Sequence, residues 1–185
     1  MNETNRKLRY RISVALMAAL CFLGTYIHIP IPMPIGNIMI HMGNTVCLMA
    51  SVVLGGLGGG VAGGVGMALF DLSSPLYTIH APFTLVQKFL AGFVCGKIAF
   101  LHGKNGDSFR YNLLGTIVGG LVNLVLAQVN SLLIDHFLLG SALDAVIATN
   151  LAKLPINALN MVLAVVASML LAAPVKLALK RLNKG

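Results

Sequence analysis

The chain has 185 residues, of which 57% are hydrophobic and only 10% charged, and its mean hydropathy is +0.88. Soluble domains carry about 25% charged residues, so this composition excludes a soluble protein. At about 20 apolar residues per crossing, the length predicts one domain, residues 1–185, of roughly six transmembrane helices. The formal net charge of +8 does not indicate nucleic-acid binding, because most Lys and Arg lie in short runs beside apolar segments without interleaved aromatic residues.

The first predicted span covers residues 10–27 and follows a basic start. A secretory signal also begins in this way, but it ends in a small-residue cleavage site. Here the apolar run continues into a proline-rich segment without an A-x-A pattern, so we expect a first helix that is not cleaved. Ala15 and Ala19 give this helix a small-xxx-small face, for which packing inside the fold is the default interpretation.

Glycine and proline mark the boundaries of the later spans. Three prolines within residues 28–37 exclude continuous helix and predict a loop. The glycine-rich segment 55–66 predicts a tight turn into a short third span, and its glycines recur every four residues, which predicts close helix packing. Pro155 suits the first turn of the sixth span. The second span is expected over residues 38–54, and the third is a short stretch that ends near Phe70. The fourth, fifth and sixth spans are expected over 84–101, 111–130 and 155–176, with outer connections at 71–83 and 131–154.

Basic residues predict the orientation of the bundle. In a six-span topology, eleven of the 13 Lys and Arg residues fall on one side, which the positive-inside rule assigns to the cytoplasm. Both termini are therefore expected in the cytoplasm, whereas Lys88 and Lys153 lie toward the outer side. The eleven are Arg6, Lys7, Arg9, Arg11, Lys97, Lys104, Arg110, Lys176, Lys180, Arg181 and Lys184.

Sequence motifs of catalysis and metal binding are missing. The chain contains no HExxH, no GxSxG, no Walker A sequence and no paired carboxylates on one span, so it predicts no enzyme activity, no cofactor and no means of powering transport by itself. A formal GxGxxG match within 58–63 lacks a surrounding strand–helix–strand unit. Cys21, Cys47 and Cys95 lie in apolar runs without CxxC spacing, which predicts buried free thiols rather than a disulfide or zinc site.

Four polar residues interrupt the start of the last apolar segment. Asn150, Lys153, Asn157 and Asn160 are spaced three, four and three apart, so they share one face if the segment is helical through Pro155. A single Asn at this place would be expected to hydrogen-bond to a neighbouring helix, and Lys153 to extend its ammonium to the membrane–water interface. Four together predict the wall of a ligand cavity, because polar groups inside a membrane are costly and mark sites or pathways.

Lys88 is the most informative single residue. It lies beside Gln87 about a turn inside the fourth span, without an acid at helical spacing, and Asn123 and Asn130 are seven apart on the fifth span. Two interpretations stay open for Lys88. It forms a structural pair with Asp71, or it faces an anionic or hydrogen-bonding part of a ligand.

The outer loops supply further candidates. Asp71, Tyr77 and His80 sit on the 71–83 segment and could line or cover the cavity. His41 and Asn44, at the outer end of the second span, are weaker candidates, because a lone His is more often hydrogen-bonded structure than a ligand contact.

These features together resemble the substrate-binding S components of energy-coupling factor (ECF) vitamin transporters. The resemblance covers nearly the whole chain and rests on the small-residue first helix, the "VVLGGLGGGVAGGVGMALFDL" segment, the run "APFTLVQKFLAGFVCG" and the head of span six, "PINALNMVLAVV". Within the second run the shared pattern consists of Pro82, Thr84, Leu85, Lys88 and Gly92.

The resemblance implies an all-α, compact six-helix membrane bundle in the bacterial plasma membrane, surrounded by lipid. It would capture a vitamin or precursor in a cavity near the outer surface, built by the outer loops and helices four to six. Ala15 and Ala19 would touch a separate transmembrane coupling subunit driven by two ATPases, and transport would occur by toppling of the S component.

The substrate predicted from this resemblance is pyridoxine or hydroxymethylpyrimidine, both small, flat, hydroxylated heterocycles. Asparagine amides, which donate and accept, and a lysine near a ring oxygen suit such a ligand. The chain has Asn160 where relatives often carry glutamine, and it has no tryptophan, which argues against the aromatic-rich thiamin branch.

Three alternatives remain open at the level of sequence. They are a membrane enzyme acting on a lipid-linked substrate, a structural subunit that binds nothing small, and a solitary facilitator that works without ATPases. An acid/base pair or metal triad on the cytoplasmic side would favour the enzyme, and the sequence offers none.

Overall fold

The computed structural model describes residues 3–35 and 37–182. Most of this part of the chain is helical, as the sequence predicts, with one short antiparallel hairpin. Two 3-10 turns, Thr78–His80 and Leu101–Gly103, flank the third helix, and a π-helical turn, Leu133–Leu138, extends the fourth. The elements are α1 (Glu3–Tyr26), β1 (His28–Pro32), β2 (Asn37–His41), α2 (Gly43–Ser73), α3 (Ala81–Ala99), α4 (Phe109–Leu132) and α5 (Leu143–Leu182).

Several of these helices are long and apolar enough to cross a membrane. Among the described residues there are four such helices: α1, α2, α4 with its π-helical extension, and α5. Helix α3, which carries Gln87, Lys88 and Lys97, is not among them. The chain is therefore an all-α, membrane-type protein with a small β element. Of the basic residues used to predict its orientation, Lys184 lies outside the described part.

Helix α2 reverses direction at a single residue, Gly55. Its backbone there has φ 82° and ψ 177°, a region that essentially only glycine occupies. Segments 43–54 and 56–73 consequently lie side by side, with Gly59 against Ser51 and Gly63 against Cys47. The predicted tight turn into another helical segment is therefore made by one residue, Gly55, and the glycines after it are helical.

The remaining glycines of this segment form contact surfaces between helices. A Cβ added at Gly56, Gly60 or Gly64 would come within 2.7–2.8 Å of a backbone carbonyl of α3. Gly92 of α3 faces the same seam, where its Cβ would lie 3.0 Å from Gly59 and Gly60. Only glycine permits such close approach of two helix backbones, so the predicted close packing is confirmed.

The proline-rich segment forms a hairpin instead of the predicted loop. Strands β1 and β2 pair antiparallel, with Ile29 opposite Ile40 and Ile31 opposite Ile38. Prolines at 30 and 32 alternate with these isoleucines, so their missing N–H groups fall on the strand edge that does not pair. Residues 38–41 therefore belong to a strand, and the helix predicted to begin at Ile38 begins at Gly43.

The last helix begins earlier than the sequence predicts. Helix α5 starts at Leu143 and contains both Pro155 and Pro174 in its interior, so the expected connection over 131–154 shrinks to a few residues after the π-helical turn. A helix in a membrane protein tolerates such prolines where groups from neighbouring helices, side chains or water satisfy the freed backbone carbonyls. Because the segment is helical through Pro155, the predicted stripe of polar residues does share one face.

The cysteines behave as small buried hydrophobes. Cys21, Cys47 and Cys95 are all buried and free, which confirms the prediction. In the described part of the chain, no three His, Cys, Asp or Glu side chains come together in a way that could hold a metal ion.

Candidate ligand-binding cavity

One end of the bundle encloses a polar cavity beneath the β-hairpin. Its first chamber, of about 170 Å³, lies between the hairpin, the outer halves of α2 and α3, and the facing parts of α4 and α5. A second chamber of about 140 Å³ adjoins it toward α4 and α5. The two share the residues Asn37, Ile38, His80, Thr84, Gln87, Ala127 and Asn157.

Most of the predicted ligand residues lie on this cavity. Lys153 lines the second chamber, whereas Asn150 lines neither. The first chamber is lined by Asp71, Tyr77, His80, Gln87, Lys88, Asn123, Asn157 and Asn160.

Lys88 lies at the floor of the first chamber and is only 8% exposed. Its Nζ donates hydrogen bonds to Asn44 Oδ1 at 2.9 Å and to Asn123 Oδ1 at 2.6 Å. Among the described residues it forms no ion pair with Asp71 within 4.0 Å. An ammonium group has three donors, so two neutral amides hold this cation without neutralising it, and one donor remains.

A chain of amides fixes the wall beside Lys88. Gln87 Nε2 donates to Asn123 Oδ1 at 2.9 Å and to the Asn123 carbonyl at 3.1 Å. Asn130 Nδ2 donates to Gln87 Oε1 at 2.8 Å. The Asn123 oxygen therefore accepts from both Gln87 and Lys88, and α3 and α4 are joined through a network that leaves little rotational freedom.

Lys153 differs from Lys88 because it has an acidic partner. Its Nζ lies 3.2 Å from Asp135 Oδ2 and 3.0 Å from Ser131 Oγ. The Lys153 and Asp135 side chains are only 9% and 3% exposed. This pair joins α5 to the π-helical turn after α4, and its charge is balanced within the protein.

The asparagines of α5 are anchored in different ways. Asn157 Nδ2 donates to Gln128 Oε1 at 3.0 Å, and Asn160 Nδ2 donates to the Met39 carbonyl of the hairpin at 3.4 Å. Asn150 exchanges hydrogen bonds with the Gln128 backbone and side chain. It therefore acts as a helix–helix contact.

One tyrosine, Tyr77, and two histidines, His41 and His80, line the first chamber. Burial lowers the pKa of His41 to about 3, and the charges of Lys88 and His28 lower it further. His41 Nδ1 is buried without a hydrogen-bond partner among the described atoms. Burial also lowers the pKa of His80, so both imidazoles are neutral at pH 7. The pKa of Tyr77 is raised by burial and by the charge of Asp71, which keeps its hydroxyl protonated.

Sequence reasoning missed several cavity residues. Gln128, Thr84 and Asn37 line the chambers, and Asn44, judged a weak candidate, binds Lys88 directly. Thr84 and Asn37 stand in segments where polar residues are expected in any case. Gln128 is the one with a usable signal, since an amide within the last turn of a predicted apolar span is still a polar group in a membrane helix.

Comparison with known proteins identifies the family. Residues 7–177 match the family model described as ECF-type riboflavin transporter, S component. A protein of Pyrococcus woesei, described only as uncharacterized, is 37% identical over 100 residues, which cover 54% of this chain and 63% of the relative. The chain thus spans less than two thirds of that relative's length.

S components of this kind bind vitamins and work with an ECF module made of a transmembrane subunit and ATPases. The resemblance drawn from the sequence is confirmed at this level. The match also excludes one of the three open alternatives, the membrane enzyme, because a transporter subunit is not an enzyme. The chain belongs to the ECF-type riboflavin transporter S component family, whose members are membrane-embedded transporter subunits.

Proposed function

We propose that this chain captures a small, flat, hydroxylated heterocycle, pyridoxine or hydroxymethylpyrimidine, in the cavity beneath the β-hairpin. The observation that carries the proposal is Lys88, a buried cation held by two neutral amides at the cavity floor. A buried charge without a charged partner is costly. A ligand oxygen that accepts a hydrogen bond from the third N–H of the Lys88 ammonium supplies the missing stabilisation.

The other groups of the first chamber complement such a ligand. Asp71 is 5% exposed and accepts hydrogen bonds from a ligand hydroxymethyl group. Tyr77 donates from its protonated hydroxyl, and neutral His41 offers a ring nitrogen. The amide of Asn157 adds an acceptor and a donor. Asn160 bounds the first chamber and Lys153 the second, and Asn150 acts through Gln128 rather than by contact.

Cavity size supports a single-ring ligand. The chambers of about 170 and 140 Å³ lie at or below the small end of ligand pockets, which run from about 300 to 1,000 Å³. Riboflavin is the second candidate, because the matching family is described by that vitamin. Its three fused rings and ribityl chain need more room than either chamber alone provides.

The topology that fits this role has six crossings, with the two halves of α2 and helix α3 counted as separate spans. Both termini then lie in the cytoplasm of a bacterial cell, and residues 1–185 act as one domain. The cavity opens to the outside. Basic residues gathered at the opposite end of the bundle support this orientation.

Delivery inward requires the ATP-driven coupling module. Ala15 and Ala19 are exposed on α1, whereas Met17 between them is buried, so the small-residue face is available to a transmembrane coupling subunit carried by two ATPases. Toppling of the S component would then expose the cavity inward.

Substituting both alanines by Leu is expected to abolish co-purification with the coupling subunit and to leave vitamin affinity unchanged. Retained co-purification would place the interface elsewhere on the chain. An unmodified protein that never associates with a coupling subunit and still moves substrate would instead be a solitary facilitator.

The decisive experiment is mass spectrometry of small molecules released by heat from the purified protein. A Lys88→Ala, Asn157→Ala double variant serves as the test, and Lys97→Ala on the exposed side of α3 as the matched control. We expect one heterocyclic vitamin or precursor per chain in the unmodified protein and the control, and none in the double variant. Its mass distinguishes a single-ring compound from riboflavin. A protein that is empty and ignores a panel of added vitamins would contradict the cavity assignment.

A further inference from the structure

The second chamber of the ligand cavity contains a cation that the protein itself neutralises. Lys153 Nζ lies 3.2 Å from Asp135 Oδ2 and 3.0 Å from Ser131 Oγ, and the Ser131 hydroxyl donates to the same Asp135 oxygen at 2.8 Å. Within the described part of the chain, Lys153 is the one Lys or Arg that lines this chamber, and Asp135 does not line it. The chamber therefore offers a ligand an ammonium group whose charge is already balanced.

The amide side chains of the second chamber are oriented by protein oxygens. Gln87 Nε2 donates twice to Asn123, and Asn130 Nδ2 donates to Gln87 Oε1. Asn157 Nδ2 donates to Gln128 Oε1, and Gln128 Nε2 donates to a backbone carbonyl of α5. The Oδ1 atoms of Asn130 and Asn157 accept no hydrogen bond from the described residues. An amide oxygen accepts from a ligand hydroxyl group and offers nothing to an anion.

The charged side chains of the two chambers cancel. The first chamber is lined by Lys88 and by the carboxylate of Asp71, and the second adds Lys153 with its partner Asp135. His80 lines both chambers, and burial lowers its pKa, so it adds no cation at pH 7. A phosphate drawn to Lys88 would meet the Asp71 carboxylate in the same chamber. The cavity as a whole thus has no net positive charge to receive an anion.

A phosphate ester of the ligand would enter this cavity at a high cost. A phosphate monoester carries a charge of about −1.5 to −2 at pH 7. Moving such a group from water into a site without a compensating charge is strongly unfavourable. A free hydroxymethyl group carries no charge and finds acceptors in the amide oxygens of the chamber.

We propose that the second chamber binds an uncharged, hydroxylated substituent of the ligand and excludes its phosphate ester, because Asp135 neutralises Lys153. Asp135 sets this specificity through Lys153, without touching the ligand itself. The inference rests on the proposed function and deepens it: the compound that this subunit captures is the free alcohol.

The test compares each alcohol with its own phosphate ester by calorimetric titration of the full-length protein in neutral detergent. The probes are pyridoxine, hydroxymethylpyrimidine and riboflavin, each beside its phosphate monoester. In the unmodified protein we expect the ester to bind at least about 100-fold more weakly than the alcohol. Asp135→Asn keeps the shape of the side chain and frees the charge of Lys153. It is expected to raise the ratio of ester to alcohol affinity by about 10- to 100-fold, the effect of one charge-assisted hydrogen bond.

Three further variants separate the charge of Lys153 from other effects. Asp144→Asn removes the same charge at an exposed position of α5 that lines neither chamber and is expected to leave the ratio unchanged. The double variant Asp135→Asn, Lys153→Gln removes both charges and is expected to exclude the ester again. Asn37→Lys adds a cation at an exposed residue that lines both chambers and leaves the pair intact. It is expected to raise the ratio as well, so the test holds if Asp135→Asn folds poorly.

Three results would overturn the inference. An unmodified protein that binds an ester as tightly as its alcohol would show that the cavity does not discriminate. An unchanged ratio in both Asp135→Asn and Asn37→Lys would show that the missing charge is not the cause. An equal rise in Asp144→Asn would indicate general surface charge. Binding of an alcohol without discrimination refutes this inference alone, whereas a protein that binds none of the three alcohols refutes vitamin capture and this inference with it.

Discussion

Replacing Lys88 by Met removes the cation at the cavity floor and keeps a long side chain. A hydrogen bond to a charged group contributes about 1.5–3 kcal/mol, and about 1.4 kcal/mol corresponds to a tenfold change in affinity. If the ligand accepts a hydrogen bond from the third N–H of Lys88, Lys88→Met is therefore expected to weaken vitamin binding by about 10- to 100-fold.

The same substitution has a separate effect on stability. Asn44 Oδ1 loses its donor, whereas Asn123 Oδ1 keeps the bond from Gln87. An unsatisfied buried acceptor costs about 1–3 kcal/mol, and removal of a buried charge offsets part of this. Adding Asn44→Leu removes the orphan acceptor, so the free energy of unfolding recovers in the double variant while vitamin affinity does not.

Calorimetric titration and thermal unfolding in detergent measure the two effects separately. Lys97→Met, at an exposed lysine on the same helix, is the control. It is expected to leave vitamin affinity unchanged and to lower the free energy of unfolding by at most about 1 kcal/mol, the size of the cation–π contact with Phe93 that it loses. Vitamin affinity within threefold of the unmodified protein in Lys88→Met would refute the assignment of Lys88 to the ligand. Affinity that recovers together with stability in the double variant would show that Lys88 acts only through the fold.

Three further predictions concern stability. Lys153→Met leaves Asp135 buried without its partner and is expected to lower the free energy of unfolding by about 3–5 kcal/mol. An added Asp135→Leu is expected to restore most of this loss. No recovery in the double variant would show that the unpaired carboxylate is not the cause. Gly60→Ala places a Cβ 2.8 Å from the Phe89 carbonyl and is expected to cost about 1–3 kcal/mol, measured by thermal unfolding, whereas an unchanged midpoint would mean that the helices separate freely. Burial holds the pKa of His41 in the folded protein at about 3, below its unfolded value of about 6.5. The unfolded state therefore binds more protons between these pH values. The free energy of unfolding falls by up to about 1.4 kcal/mol per pH unit as the pH drops from 6.5 to 3. His41→Gln should reduce this slope by that amount, and an identical pH profile in the variant would contradict it.

Local chemistry made part of the site predictable. Lys88 and Asn157 stood out because a polar group inside an apolar span is costly wherever the neighbouring helices lie. The four-residue glycine spacing predicted close packing for the same reason, since the absence of a Cβ is a property of the residue itself.

Other features depended on contacts that a linear pattern does not contain. The turn of α2 at Gly55 could not be separated from the glycines that follow it, because all of them suit both a turn and a close helix contact. Pro155 was misplaced because a helix in a membrane protein can hold a proline in its interior as well as in its first turn. The hairpin was read as a loop because alternate prolines hide a strand that pairs along only one edge.

Composition was enough to identify a membrane protein, because partition into lipid depends on it, and helical spacing was enough to place polar side chains on one helix face. The motifs carried the family resemblance. Packing of the helices, in contrast, places Asn44 and Asn123 against Lys88, although they lie 44 and 35 residues away along the chain, and places Asp135 against Lys153. Two lysines of equal chemical type thus differ because one meets neutral amides and the other a carboxylate, and the backbones that bring these partners together meet only after the helices have packed.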